Sequence, residues 1–139
     1  MCGLLLRRGA AHLVPLVLLL TLVGCGSDDM TSPSLVIPGG SFIPDFTFVW
    51  QNTADKTNTY TFIPNNSGAS SGTLTDSSSE TLNGVFSKVT GTFSNHNMNI
   101  TVARPSGNVS ATGGFTDADT IKLQFGTSST IVTLIRIKQ

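Results

Sequence analysis

From residue 45 onward the chain alternates apolar and polar residues with a period of two. In FTFVW, Phe46, Phe48 and Trp50 fall on one face, and in TYTFIP, Tyr60 and Phe62 do the same. KVTGTFS places Val89, Gly91 and Phe93 together, and NMNITVA aligns Met98, Ile100 and Val102. NVSATGGF aligns Val109, Ala111, Gly113 and Phe115, and TIKLQF aligns Ile121, Leu123 and Phe125. This alternation is the pattern of antiparallel strands with one buried face. The last run, TIVTLIRIK, is apolar at both parities and predicts a strand covered on both sides. The breaks are turn-forming: Asn95-His96-Asn97, Pro105-Ser106-Gly107-Asn108, Thr116-Asp117-Ala118-Asp119 and Gly126-Thr127-Ser128. Between Asn65 and Asn83, Leu74 and Leu82 are the only large apolar anchors, which predicts two short strands near Ser71–Asp76 and Glu80–Gly84. Eight or nine strands joined by short hairpins predict an all-β domain. An antiparallel up-and-down meander barrel is favoured, with a two-sheet β-sandwich as the alternative.

Composition points the same way. Of 139 residues only 12% are charged, and Ser, Thr, Asn and Gly fill the surface positions that Lys and Glu hold on helices. The formal net charge is zero, which gives no electrostatic basis for binding nucleic acid.

The N-terminus follows another pattern. Arg7 and Arg8 precede an apolar run from Leu13 to Val23. At about 11 residues this run is short of the ~20 that span a bilayer and fits a secretory signal. Leu22-Val23-Gly24-Cys25 resembles the lipobox of bacterial lipoproteins. That resemblance implies removal of residues 1–24, a lipidated Cys25 as the first residue of the mature protein, and membrane attachment through its acyl chains. Each buried CH₂ contributes about 0.8 kcal/mol, and two chains suffice for stable anchoring. Gly26, in place of Asp after the cysteine, implies the outer membrane of the bacterial envelope. Residues 25–44, punctuated by Pro33, Pro38, Gly39, Gly40 and Pro44, form a tether able to reach on the order of 60 Å. Within it Leu35, Val36, Ile37, Phe42 and Ile43 are apolar enough to pack on the domain as a plug or an extra strand. Residues 45–139 form the β-domain.

A second resemblance lies in residues 84–137. The strand pattern of GVFSKVTGTFSNHNMNITV, GNVSATGGFTDADTIKLQF and TIVTLIRI is similar to small lipocalin-like lipoproteins of bacteria. It implies a calycin-type barrel in which Arg136, on the closing strand, caps one end by stacking on Trp50.

No catalytic set emerges. GASSG, residues 68–72, matches the hydrolase elbow with Ser70 as nucleophile, but that elbow needs a following helix and Thr73-Leu74-Thr75 continues as strand. His96, the one histidine of the mature chain, reads as a turn residue, and nothing in the sequence places it with Ser70 and Asp76. Asp117 and Asp119 fall short of a calcium loop and read as turn formers. No cofactor or metal site is expected. The expected function is that of a non-enzymatic envelope lipoprotein. It would bind a small apolar ligand among the interior aromatics Phe48, Trp50, Tyr60 and Phe62, with Phe93, Phe115 and Phe125 opposite. The alternative is a protein-interaction or inhibitor module with a filled core.

Overall fold

The computed structural model describes residues 35–80 and 84–137. The expected signal sequence, Cys25 and the first part of the expected tether lie outside these residues. Eight strands form: β1 (Val49–Asn52), β2 (Thr59–Thr61), β3 (Ser71–Glu80), β4 (Phe86–Ser94), β5 (Asn97–Arg104), β6 (Gly107–Asp117), β7 (Thr120–Phe125) and β8 (Ile131–Ile137). Each pairs antiparallel with its neighbour in sequence, and β8 returns to β1 to close the barrel. Closure leaves no sheet edge, so every ladder is satisfied within the chain. The sandwich alternative is thereby excluded.

The inward residues are those of the period-two pattern. Val89 and Phe93 of β4, Met98, Ile100 and Val102 of β5, Ala111 and Phe115 of β6, and Ile121 and Leu123 of β7 are all buried. Trp50, Tyr60, Phe62, Leu74 and Leu134 complete the ring, and Phe46 fills it from below. Thr31–Gln139 forms one compact unit, and among the described residues every buried core residue lies between Phe46 and Leu134. The core of the described residues is thus held within one unit, as in a domain able to fold on its own.

Three sequence expectations are corrected. First, most of the second expected strand, Glu80–Gly84, lies outside the described residues, and the strand expected near Ser71–Asp76 continues to Glu80 as one ten-residue strand, β3. Its register against β4 shifts between Leu74 and Ser77. Leu74 points inward on one side of this bulge, and Ser77 and Ser79 point inward on the other. An extra residue reverses the parity of everything after it, so the alternation breaks although the strand continues. Second, β8 is covered on one side only. Leu134 is fully buried, whereas Ile135 is 42% exposed, because no strand or helix of the described residues packs on the outer face of the barrel. Third, β1 begins at Val49, so Phe46 and Phe48 of the alternating FTFVW run precede the strand.

The segment before β1 is part of the barrel all the same. Phe42 is half-buried, and Pro44 and Phe46 are buried, while the residues between them are exposed. The Phe46 ring packs edge-on against Phe62, Phe93 and Phe115 at centroid distances of 6.0, 5.0 and 5.4 Å. Phe42 stacks on His96 at 4.1 Å and donates its backbone N–H to Asn95 Oδ1. Residues 42–46 thus plug the end of the barrel at which β4 turns into β5. The same end is pinned by Arg136, which ion-pairs with Asp45 at 3.8 Å and with Asp119. Its guanidinium lies 4.3 Å from the Phe48 ring centroid. The expected cap is present, but its aromatic partner is Phe48. Trp50, the residue paired with Arg136 across the strands, is taken up by an edge contact to Phe115 at 5.4 Å.

Two glycines make the plugged end possible. Gly113 and Gly114 have φ of +156° and +152°. A Cβ on Gly114 would sit 1.8 Å from the His96 carbonyl oxygen, and one on Gly113 would sit 2.0 Å from that of Lys122. Their backbone sits where a side chain would have to be, which lets the Phe115 N–H reach the His96 carbonyl at 2.8 Å.

Candidate functional site

The opposite end of the barrel is plugged by none of the described residues as residues 42–46 plug the first. It is bordered by the β1–β2, β3–β4, β5–β6 and β7–β8 connections, and a cavity of about 440 Å³ opens there. A volume of this size falls within the range of small-molecule pockets, ~300–1,000 Å³. The floor is Tyr60, buried to 2% exposure. Ser79 and Ser87, cross-strand partners on β3 and β4, form one wall. Asn58, Val85, Arg104, Pro105 and Ser106 complete the rim.

The strands place these groups for a simple reason. Inward positions deep in the barrel must be apolar, but the last inward position before a turn meets water. On β5 the inward row runs Met98, Ile100, Val102, Arg104, and only the last is exposed. On β3 the bulge turns Ser79 inward at the equivalent level, and on β4 Ser87 takes the position above Val89.

Burial raises the pKa of the Tyr60 phenol above its ordinary value, and the nearby Asn58 and Arg104 side chains partly offset that rise. The phenol is therefore neutral at physiological pH and able to donate a hydrogen bond. Asn58 Oδ1 is buried without a hydrogen-bond partner. The Trp50 indole nitrogen and His96 Nδ1 are also buried and unpartnered. Buried polar atoms are nearly always paired, so such atoms mark places where a further group would be accommodated.

The seven aromatics expected to contact a ligand separate into distinct places. Trp50, Phe62, Phe93 and Phe115 are packed in the core with Phe46 between them. Phe48 lies at the plugged end under Arg136. Phe125 is partly buried, with Arg104 5.7 Å above its ring. Of the seven, Tyr60 alone lines the mouth cavity. The polar members of the site, Asn58, Ser79, Ser87 and Arg104, were missed by a search for apolar ligand contacts. Arg104 carried a usable signal, since it continues the inward parity of an otherwise apolar strand. Ser79 carried none, because its parity depends on the bulge.

A smaller cleft of about 160 Å³ lies beside the plug, lined by Pro44, Phe46, Phe62, Pro64 and Gly68 among others. Ser70 is exposed and is followed directly by β3, so the strand-to-helix elbow is not formed. No hydrogen bond joins its hydroxyl to His96 or Asp76 among the described residues, and His96 is occupied by the Phe42 stack. Asp117 Oδ1 accepts the Asp119 N–H at 2.8 Å, as a turn former does. Among the described residues no group of three His, Cys, Asp or Glu side chains is placed to hold a metal ion. No helix among them is long and apolar enough to cross a membrane.

In the comparisons with known proteins, no family model, no curated protein and no solved structure matches the chain.

Proposed function

We propose that the protein is a non-enzymatic envelope lipoprotein, held to the outer membrane by lipid on Cys25, whose barrel binds a small ligand at its open end. The observation that carries the binding reading is the mouth cavity of about 440 Å³ above a filled aromatic core. The ligand does not enter the deep interior, where Phe46 occupies the space between Phe62, Phe93 and Phe115. It sits above Tyr60, with its apolar part against the exposed side of the core. The attachment reading rests on the lipobox resemblance around Cys25.

Native mass spectrometry of residues 26–139 tests the binding reading. A co-purified small molecule, lost when Tyr60 and Ser87 are replaced by Trp and Leu to fill the mouth, is the expected result. An apo spectrum, unchanged in the filled variant and after incubation with cell lipid extract, would refute it. For the anchor, Cys25→Ser in the full-length chain should abolish incorporation of labelled palmitate. The filled core itself favours the second reading, a protein-interaction module using the outer face. That reading predicts a partner whose binding survives filling of the mouth.

A further inference from the structure

The outward positions at the plugged end break the pattern of the rest of the barrel. Along β4 and β5 the outward side holds Thr90, Thr92, Asn97 and Asn99. Beside the plug two exposed positions hold isoleucine. Ile43 is 59% exposed and Ile63 is 45% exposed. Each follows an aromatic that turns inward, Phe42 and Phe62. Ile63 lines the 160 Å³ cleft with Pro44, Phe46, Phe62 and Pro64, and Ile43 immediately precedes Pro44. Val36, on the chain that leads into the plug, is exposed as well. The nearby acids Asp45 and Asp119 share Arg136, so this surface offers apolar contact and no attraction to anionic groups.

The plugged end is also where the chain enters the barrel. Cys25 to Phe42 spans about 17 residues, at most ~60 Å of extended chain. To bring the mouth against the membrane that holds Cys25, the chain would have to pass the length of the barrel as well. β6 alone, eleven residues long, measures ~36 Å. The end nearer the anchor is thus the end that carries the two isoleucines and the apolar cleft. Exposed apolar side chains held close to a bilayer gain by burial at the boundary between headgroups and acyl chains.

We propose that the plugged end rests on the lipid bilayer to which Cys25 is attached, with Ile43 and Ile63 inserted at its surface and the mouth turned away from it. The ligand of the mouth then arrives from the aqueous side. This rests on the reading of Cys25 as the lipidated residue.

The test couples the thiol of Cys25, the single cysteine of residues 25–139, to a maleimide lipid in phosphatidylcholine nanodiscs that carry a gadolinium-chelating lipid. The relaxation that gadolinium adds to each ¹⁵N-labelled amide falls steeply with distance. It should be several-fold stronger at Ile43, Ile63 and Gly68 than at Ser87, Arg104 and Ser106. Adding phosphatidylglycerol should leave this contrast unchanged. The double variant Ile43→Ser with Ile63→Ser should lose most of it. Both positions are exposed, and an unchanged amide spectrum of the uncoupled variant verifies its fold. Equal relaxation at the two ends, or stronger relaxation at Val85 and Phe86, which are exposed at the mouth end, would overturn the orientation. A contrast that appears only with phosphatidylglycerol, or that survives in the double variant, would overturn the insertion of the isoleucines. Coupling supplies the anchor chemically, so these outcomes judge the docking alone, and palmitate labelling of Cys25→Ser judges the anchor separately.

Discussion

Gly114 and Gly107 both have positive φ, at +152° and +118°, yet they should respond differently to the same substitution. At Gly107 a Cβ meets nothing within 4 Å, so Gly107→Ala costs only the backbone term, about 1–2 kcal/mol. At Gly114 the Cβ would collide with the His96 carbonyl, which is fixed by its hydrogen bond from Phe115. Gly114→Ala should therefore lose about 4 kcal/mol or more, or fail to fold. Urea denaturation of the two variants provides the comparison. Equal losses would mean that the close approach of β6 to the β4–β5 turn contributes little.

Among the elements, the plug was visible in the sequence only as one of two alternatives, a plug or an extra strand. Phe42 is separated from the strands by Pro44, and a Pro-Gly-rich stretch reads as tether. Its burial depends on a stacking partner, His96, more than fifty residues away, which no local pattern reveals. Phe42→Ala should cost about 1–2 kcal/mol, the value of a half-buried aromatic and its stack. It should also speed hydrogen exchange at Phe115 and Asn95 but leave Arg104 and Ser87 at the far end unchanged. Uniform acceleration at both ends would show that the plug stabilises the whole barrel and not one end of it. The strands β4 to β7 were legible because their parity holds through the core, the register shift in β6 coming only between Phe115 and Asp117, beside the turn. β3 was not, because its bulge reverses parity and its inward residues past the bulge are serines. Those serines are tolerated for two different reasons. Ser77 Oγ accepts the Ile63 N–H at 2.7 Å, and Ser79 faces the mouth.

For the whole molecule, the two ends set opposite limits on pH stability. At the plugged end, hydrogen bonds from the Thr47 hydroxyl and N–H, helped by Arg136, lower the pKa of Asp45. A depressed carboxyl pKa contributes stability that is present above the unfolded value and is lost as pH falls through the folded one. Asp45 is half exposed, so solvent screening keeps this contribution small. At the mouth, the raised pKa of Tyr60 contributes stability that is complete below the unfolded value near 10. It is lost as pH rises through the folded value. Thermal melts across pH should show an acid slope that Asp45→Asn reduces and an alkaline slope that Tyr60→Phe reduces. Each variant should leave the other slope intact. A change in both slopes from either substitution would show that the ends are coupled through the core. The barrel itself could be inferred from the spacing of its turns. The site could not, because its polarity is set by level within the barrel, and that level depends on closure and register.

Tyr60 and Trp50 are the single tyrosine and the single tryptophan of the chain, and they are cross-strand partners on β1 and β2. The molecule thus carries two natural optical labels without any engineering. Tyr60 lines the mouth and Trp50 packs edge-on against Phe115, so phenolate absorbance at alkaline pH reports on the mouth side and indole emission on the aromatic core. Occupancy of the mouth and loosening of the core can therefore be followed as separate signals in one unmodified sample.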